Sequence, residues 1–383
     1  MTTSGEKRVI PLELFFDLVF VFGLTQVTAL MSDDPTWQGL GRGVLVLAAL
    51  WWAWAAYAWL TNEIEADEDL PRLAMFTSMT AMLIAALAVP DAFGDDGVIF
   101  ACAYFVVRVM HVVLFTQTAP HASVQAAMAR LARAAIPAPA LLIVAGFVDG
   151  PVQAALWIAA IAIDYGGPLV LGVSGFQVSA GHFVERFALI VIIALGESIV
   201  AIGVGAAGLG LDIGLLAAAA LGVVIACALW WAYFDWMAIH AEHVFSATGG
   251  DDRARLARDA FSYLHLPMVA GVILVALGIK KTLEHVDEPL DTVPTVALLG
   301  GIGLYLVGHV AFRLRLHSGL GRGRLTAAVV SLALIPVALE VEKALGALAI
   351  AAALSAAVVA YEVIRFAEPR ARLRAGAAGG ATE

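Results

Sequence analysis

The sequence predicts an all-α polytopic membrane protein of about twelve transmembrane helices, and three observations carry that expectation. Of 383 residues, 61% are hydrophobic and only 14% charged, with a mean hydropathy of +0.89, whereas soluble domains carry about 25% charged residues. The apolar residues fall in blocks of roughly 18 to 25, long enough to cross a hydrocarbon core of ~30 Å as a helix, whereas a β-barrel would alternate over about 10 residues. Lys and Arg are also distributed unevenly between alternate breaks, as the positive-inside rule requires of a multi-pass protein.

Breaks at Pro, Gly and charge clusters place the first six helices near 12–30, 41–61, 72–90, 98–117, 133–148 and 153–172. Six more follow near 185–205, 213–239, 259–280, 295–316, 325–341 and 345–366. Pro11 suits the first turn of the first helix, and the acidic stretch "NEIEADED" at 62–69 reads as a solvated connector after the second. The fifth helix is interrupted by Pro137 and Pro139 and preceded by Arg130 and Arg133, and the eleventh contains Pro336. "HAEH" at 240–243 falls near the end of the eighth as ordinary juxtamembrane sequence, because its spacing fits no helical zinc-protease pattern.

With both termini and the even-numbered loops on one side, that side receives seventeen Lys and Arg residues. The other side receives only Arg42, Lys280, Lys281 and Lys343, and Arg108 lies inside the fourth helix. Both termini are therefore expected on the cytoplasmic side of the membrane, with the hydrophilic start "MTTSGEKR" as a short tail and no cleavable signal peptide. The net charge of -10 without a long basic run excludes a nucleic-acid partner, leaving the lipid bilayer and a small ion or solute as expected partners. Cys102 and Cys227 read as small core residues, and no pattern calls for a metal or cofactor.

The pentapeptide "ALWWA" occurs at 49–53 and again at 228–232, each followed at the same offset by Glu63 or Glu242. Each copy comes after a helix opening with Glu-x-Phe, at Glu13 and at Glu185, and "AYFVVRVMH" matches "GLYLVGHVAF" more loosely. These matches predict two parallel six-helix repeats, 1–180 and 181–383, because six is even and the second unit enters the membrane in the direction of the first. In such folds the site lies near the interface of the repeats, on Pro-interrupted helices at matching positions. The fifth and eleventh helices fit that pointer.

The stretches "ELFFDLVFVFGLTQ" (13–26), "LWWAWAAYAW" and "ERFALIVIIALGESIVAIG" (185–203) resemble the bacterial low-temperature-requirement A family. The resemblance implies a polytopic protein of the bacterial plasma membrane along the whole chain, and it brings no catalytic residues with it. Phe15, Phe16 and Asp17 also resemble the start of the six-helix repeats of lysosomal-type potassium channels, although Leu189 stands in the place of Asp17 in the second half.

Ionisable residues inside membrane helices face cavities or partners, so they are the candidate site. Glu13 and Asp17 lie one turn apart on one helix face; Glu13 can act as an N-terminal cap, while Asp17 lies a turn deeper among Phe and Leu. Glu185 and Arg186 occupy the equivalent start in the second half, where capping and snorkelling account for them. Glu197 with Ser198 lies near mid-membrane, and in the duplicated register Thr25 and Gln26 fall opposite them. Arg108, with His111 one turn on, must meet a carboxylate, for which Asp17, Asp164, Glu197 and Asp235 are the choices. His265 and His309 are expected to be hydrogen-bonded core residues. Trp51, Trp52, Trp54, Trp59, Trp230, Trp231 and Trp236 are expected in aromatic packing and interfacial anchoring.

The expected function is a non-enzymatic transporter or ion-conducting protein in which Asp17, Arg108 and Glu197 form a buried titratable network at the repeat interface. A membrane stress-response scaffold without transport is the alternative, and behind it an intramembrane lipid-modifying enzyme, for which no Ser-His-Asp, CxxC or HExxH pattern is present.

Overall fold

The computed structural model describes residues 7–235 and 237–365, so Trp236 and the basic tail with Arg370, Arg372 and Arg374 lie outside the described residues. Twelve helices in it are long and apolar enough to cross a membrane. They are α1 (Pro11–Asp33), α2 (Trp37–Glu63), α3 (Asp69–Leu87), α4 (Gly97–Thr118), α5 (Ala122–Ala145) and α6 (Gly150–Leu171). The second set is α7 (Ala180–Gly205), α8 (Ile213–Ala247), α9 (Gly250–Glu284), α10 (Thr292–Arg315), α11 (Arg322–Leu339) and α12 (Ala344–Arg365). No strand occurs among the described residues.

Several helices begin earlier than the sequence suggests. α5 starts at Ala122, and Arg130 lies within it, donating to the carbonyls of Leu171 and Ser174. α7 starts at Ala180, which puts Arg186 in its second turn. Breaks fall at the expected prolines: α5 is interrupted at Ile136 before Pro137, and α11 at Leu334 before Pro336. A proline ring removes one backbone donor and crowds the preceding turn. α9 has an interruption as well, a π-helical stretch at Ala257–Tyr263 that ends four residues before Pro267.

In the first six helices α1 packs on α2 and α3, α3 on α4, α4 on α5, and α6 on α5 and α2. In the second six α7 packs on α8 and α9, α9 on α10, α10 on α11, and α12 on α8. The two sets meet where α1 and α2 lie against α7 and α9. α2 is central, with 78% of its apolar window buried, against 22% for the peripheral α6. Where α9 crosses α10, Gly271 and Gly301 let the backbones touch: a Cβ on Gly271 would lie 2.6 Å from the Gly301 carbonyl oxygen. Small residues at such crossings are how helices pack where lipid offers no hydrophobic drive.

Cys102 and Cys227 are exposed on the outer surface rather than in the core. A thiol costs little against lipid, which is as apolar as a core, so an apolar run alone does not say which way it faces. The "NEIEADED" stretch is likewise more than a connector. Asn62 and Glu63 belong to the last turn of α2 and are buried.

Candidate functional site

Three polar pairs hold α1 against α7. Glu13 Oε1 lies 2.9 Å from His182 Nε2. One turn deeper, Arg186 donates from Nη1 to Asp17 Oδ2 (2.6 Å) and from Nη2 to Asp17 Oδ1 (2.9 Å). Deeper again, Thr25 Oγ1 donates to Glu197 Oε2 at 2.6 Å. The partners ascend together on both helices, so α1 and α7 run parallel. Glu13, Asp17, His182, Arg186 and Glu197 are all buried. Charges this far from water persist only with partners, and the two-pronged Arg–carboxylate geometry is the strongest available. Trp54 Nε1 adds a third donor to Asp17 at 2.8 Å, and its ring lies 5.5 Å from the Arg186 guanidinium.

The end of this seam nearest the N-terminus continues as a hydrogen-bond chain. His182 Nδ1 is 3.0 Å from Asn62 Nδ2, and Asn62 Oδ1 accepts from the backbone N–H of Ser179. Glu13 Oε2 also accepts from the Ile10 backbone N–H, so it caps α1 while it holds His182. Lys7 closes the end by donating to the carbonyls of Asn62 and Ile64. Burial pushes the Lys7 ammonium below the usual lysine value, and Glu65, Glu13, Glu63 and Asp67 pull it partly back.

A second polar centre lies inside the first six helices. Arg108 on α4 donates from Nη2 to Asp164 on α6 at 2.6 Å, and both side chains are buried. Arg108 Nε and Nη1 meet no hydrogen-bond partner, nor does either ring nitrogen of His111 in good geometry. These groups line a cavity of about 70 Å³ whose other walls include Trp52, Trp59, Phe115 and Met128. A water needs ~10–15 Å³ of such space, so the cavity has room for a few waters or a small solute.

The π-helical stretch of α9 supplies the remaining polar wall. Arg258 and Ser262 both lie in it and both face the cavity. π-turns are rare and recur at functional sites because the extra residue re-aims side chains. Ser262 Oγ accepts from Trp59 Nε1 at 2.9 Å and its carbonyl from Trp51 Nε1 at 2.8 Å, which ties α9 to α2. Arg258 Nε donates to Asp259 Oδ1 at 2.6 Å, while Asp259 Oδ2 accepts from Arg315 Nε at 3.0 Å.

Phe176, in the α6–α7 connection, lines this cavity and also a wider opening of about 640 Å³. The opening lies at the end of the bundle where α2 stops and α5, α7 and α9 begin, with Glu63, His121, Asp251 and Arg253 in its walls. The Phe176 ring packs edge-on against Trp59 (5.3 Å) and Phe115 (5.5 Å). Phe176 is therefore the residue that the two linings share.

The family description "Bacterial low temperature requirement A protein" (LtrA) matches residues 8–360. The chain belongs to the LtrA family. It is 31% identical over 320 residues to the uncharacterized protein RA0937 of Rhizobium meliloti (strain 1021), covering 80% of this chain and 77% of that one. No solved structure matches it.

In this LtrA-family chain Asp17, Arg108 and Glu197 do not form one network. Asp17 is taken by Arg186, Arg108 by Asp164, and Glu197 by Thr25. Nor does Arg186 snorkel: it is fully buried, because α7 begins a turn and a half before it. Glu185 is exposed and accepts from the Val9 backbone N–H at 3.2 Å, so it shares sequence register with Glu13 but not its surroundings. Ser198 is buried beside Glu197, and its Oγ has no partner among the described residues. Asp235 is half-buried where α8 breaks between Phe234 and Met237. His265 bonds Tyr233 Oη at 2.9 Å, and His309 bonds Arg324 Nη1 at 2.8 Å. Arg324 also makes a buried two-pronged pair with Glu362 that sequence reasoning missed. Among the described residues no group of three or more His, Cys, Asp and Glu could hold a metal ion.

Proposed function

We propose that this LtrA-family protein is a transporter for a small solute, with the Arg108 cavity as its solute site. The observation that carries the reading is Arg108 itself. A buried guanidinium with two unpartnered N–H positions is costly, and proteins keep such groups where a ligand or ordered water completes them. The cavity shares Phe176 with a wider opening, which supports a path with a closable step. The α1–α7 seam then reads as the structural interface, since its charges are saturated by one another.

Matching neighbours in the two sets of helices support two parallel units, 1–180 and 181–383, about an axis along the membrane normal. The charge bias supports cytoplasmic termini in the bacterial plasma membrane: removing the buried Arg186 and Arg324 from the cytoplasmic tally still leaves fifteen against four. Green fluorescent protein fused at the C-terminus should fluoresce, and a dark fusion at normal expression would reverse the orientation. Purified protein in liposomes should move at least one member of a panel of small carboxylates, amines and alkali cations faster than protein-free liposomes. Equal rates across the whole panel would overturn the transport reading.

A further inference from the structure

The geometry points to a small, largely apolar monocarboxylate as the occupant of the Arg108 cavity, an inference that rests on the transport reading for its physiological meaning but not for its test. The first argument is charge. The cavity walls hold two cations, Arg108 and Arg258, and one anion, Asp164. Asp259 does not remove the excess, because it is shared between Arg258 and Arg315. Arg108, Asp164, Arg258, Asp259 and Arg315 together therefore sum to one net positive charge in and behind the cavity wall, which a single negative charge balances.

The second argument is donor chemistry. A guanidinium only donates, so the open Nε and Nη1 positions of Arg108 require an acceptor, and a carboxylate makes the charge-assisted version of that bond. His111 lies beside it with a backbone contact to Ala56 and no hydrogen bond in good geometry, and its ring can donate or accept according to its tautomer. An amine or an alkali cation would face two arginines and a single carboxylate that Arg108 already holds.

The third argument is the wall. Trp52, Trp59, Phe115, Met128, Leu131 and Phe176 present an apolar surface opposite the arginine. Inorganic anions lose their hydration against such a surface and gain nothing from it, whereas a short hydrocarbon chain is stabilised by ~25 cal/mol per Å² of area removed from water. The volume limits that chain to a few carbons. Trp52 and Trp59 stand close enough for their fluorescence to report occupancy.

The test titrates the purified full chain with butyrate, butylammonium and chloride while tryptophan fluorescence is followed. Butyrate should give a saturable change, butylammonium and chloride none. Arg108→Lys keeps a cation beside Asp164 but removes the open guanidinium positions, and it should weaken butyrate about tenfold or more, the effect of losing a charged hydrogen bond. Ala135→Leu fills the cavity without touching the ion pair and should abolish the change. Chloride or butylammonium matching butyrate, no saturable change with any probe, or unaltered binding in folded Ala135→Leu would each overturn the assignment. Binding of butyrate with no member of the panel moving faster than in protein-free liposomes would overturn transport and leave the site standing. Flux of another solute unaffected by both variants would overturn the site and leave transport standing.

Discussion

Asp17 and Arg186 stand 169 residues apart in sequence and share two parallel hydrogen bonds in the membrane interior, with the Trp54 indole completing the carboxylate. Burying both charges is expensive, and the pair offsets that expense only while complete. Asp17→Leu or Arg186→Met alone should destabilise the protein by about 3–5 kcal/mol, the usual result of orphaning a buried charge. Asp17→Leu with Arg186→Met should recover most of that loss. Thermal unfolding in detergent across this double-mutant cycle checks it, and additive losses would show that the two side chains act independently.

Phe176 should behave as a partition. Phe176→Ala joins the inner cavity to the opening, so a cysteine at Ala135, in a background lacking the lipid-facing Cys102 and Cys227, should react several-fold faster with a water-soluble thiol reagent. An unchanged rate would mean that water already passes the ring.

Gly271→Ala and Gly301→Ala should each be severe, because the added methyl meets backbone rather than a yielding side chain. At Gly203 a Cβ meets nothing within 4 Å, so Gly203→Ala should be neutral or slightly stabilising through helix propensity. Yield and melting temperature of the three variants separate the two outcomes.

Lys7 gives a pH-dependent signature. Its folded value is lowered by burial from 10.5, so the folded state disfavours the ammonium relative to the unfolded chain. That penalty is full below the folded value and fades as pH rises through the window up to 10.5. The stability difference between the wild type and Lys7→Met should therefore shift in favour of the wild type as pH approaches that limit. A difference that is flat from neutral pH upward would refute the burial effect.

Much of the architecture was legible in the sequence because the membrane imposes it: block length gave the twelve spans, and prolines gave the breaks in α5 and α11. Asp164 as the partner of Arg108 was within reach, since a lone deep cation must find a carboxylate. The α1–α7 seam was missed for a definite reason. Glu13 and Asp17 are four apart, and so are His182 and Arg186, which is the spacing of two complementary faces on parallel helices. Starting α7 at 185 hid His182 outside the membrane and made Arg186 look interfacial. The cavity had no such local signal. Its walls come from α2, α4, α5, α6 and α9; Pro267 marks a break in α9 but not its π-helical form, and the position of Phe176 has no sequence marker.

The π-helical stretch makes α9 one residue longer than its path needs. A surplus residue can migrate along a helix without breaking it, each step turning the segment it passes by roughly 100°. Arg253 lies just before the stretch, in the wall of the wider opening, and Arg258 lies within it, in the wall of the inner cavity. Migration of that surplus toward residue 250 would swing both guanidiniums in one movement and so change the electrostatics of both chambers together.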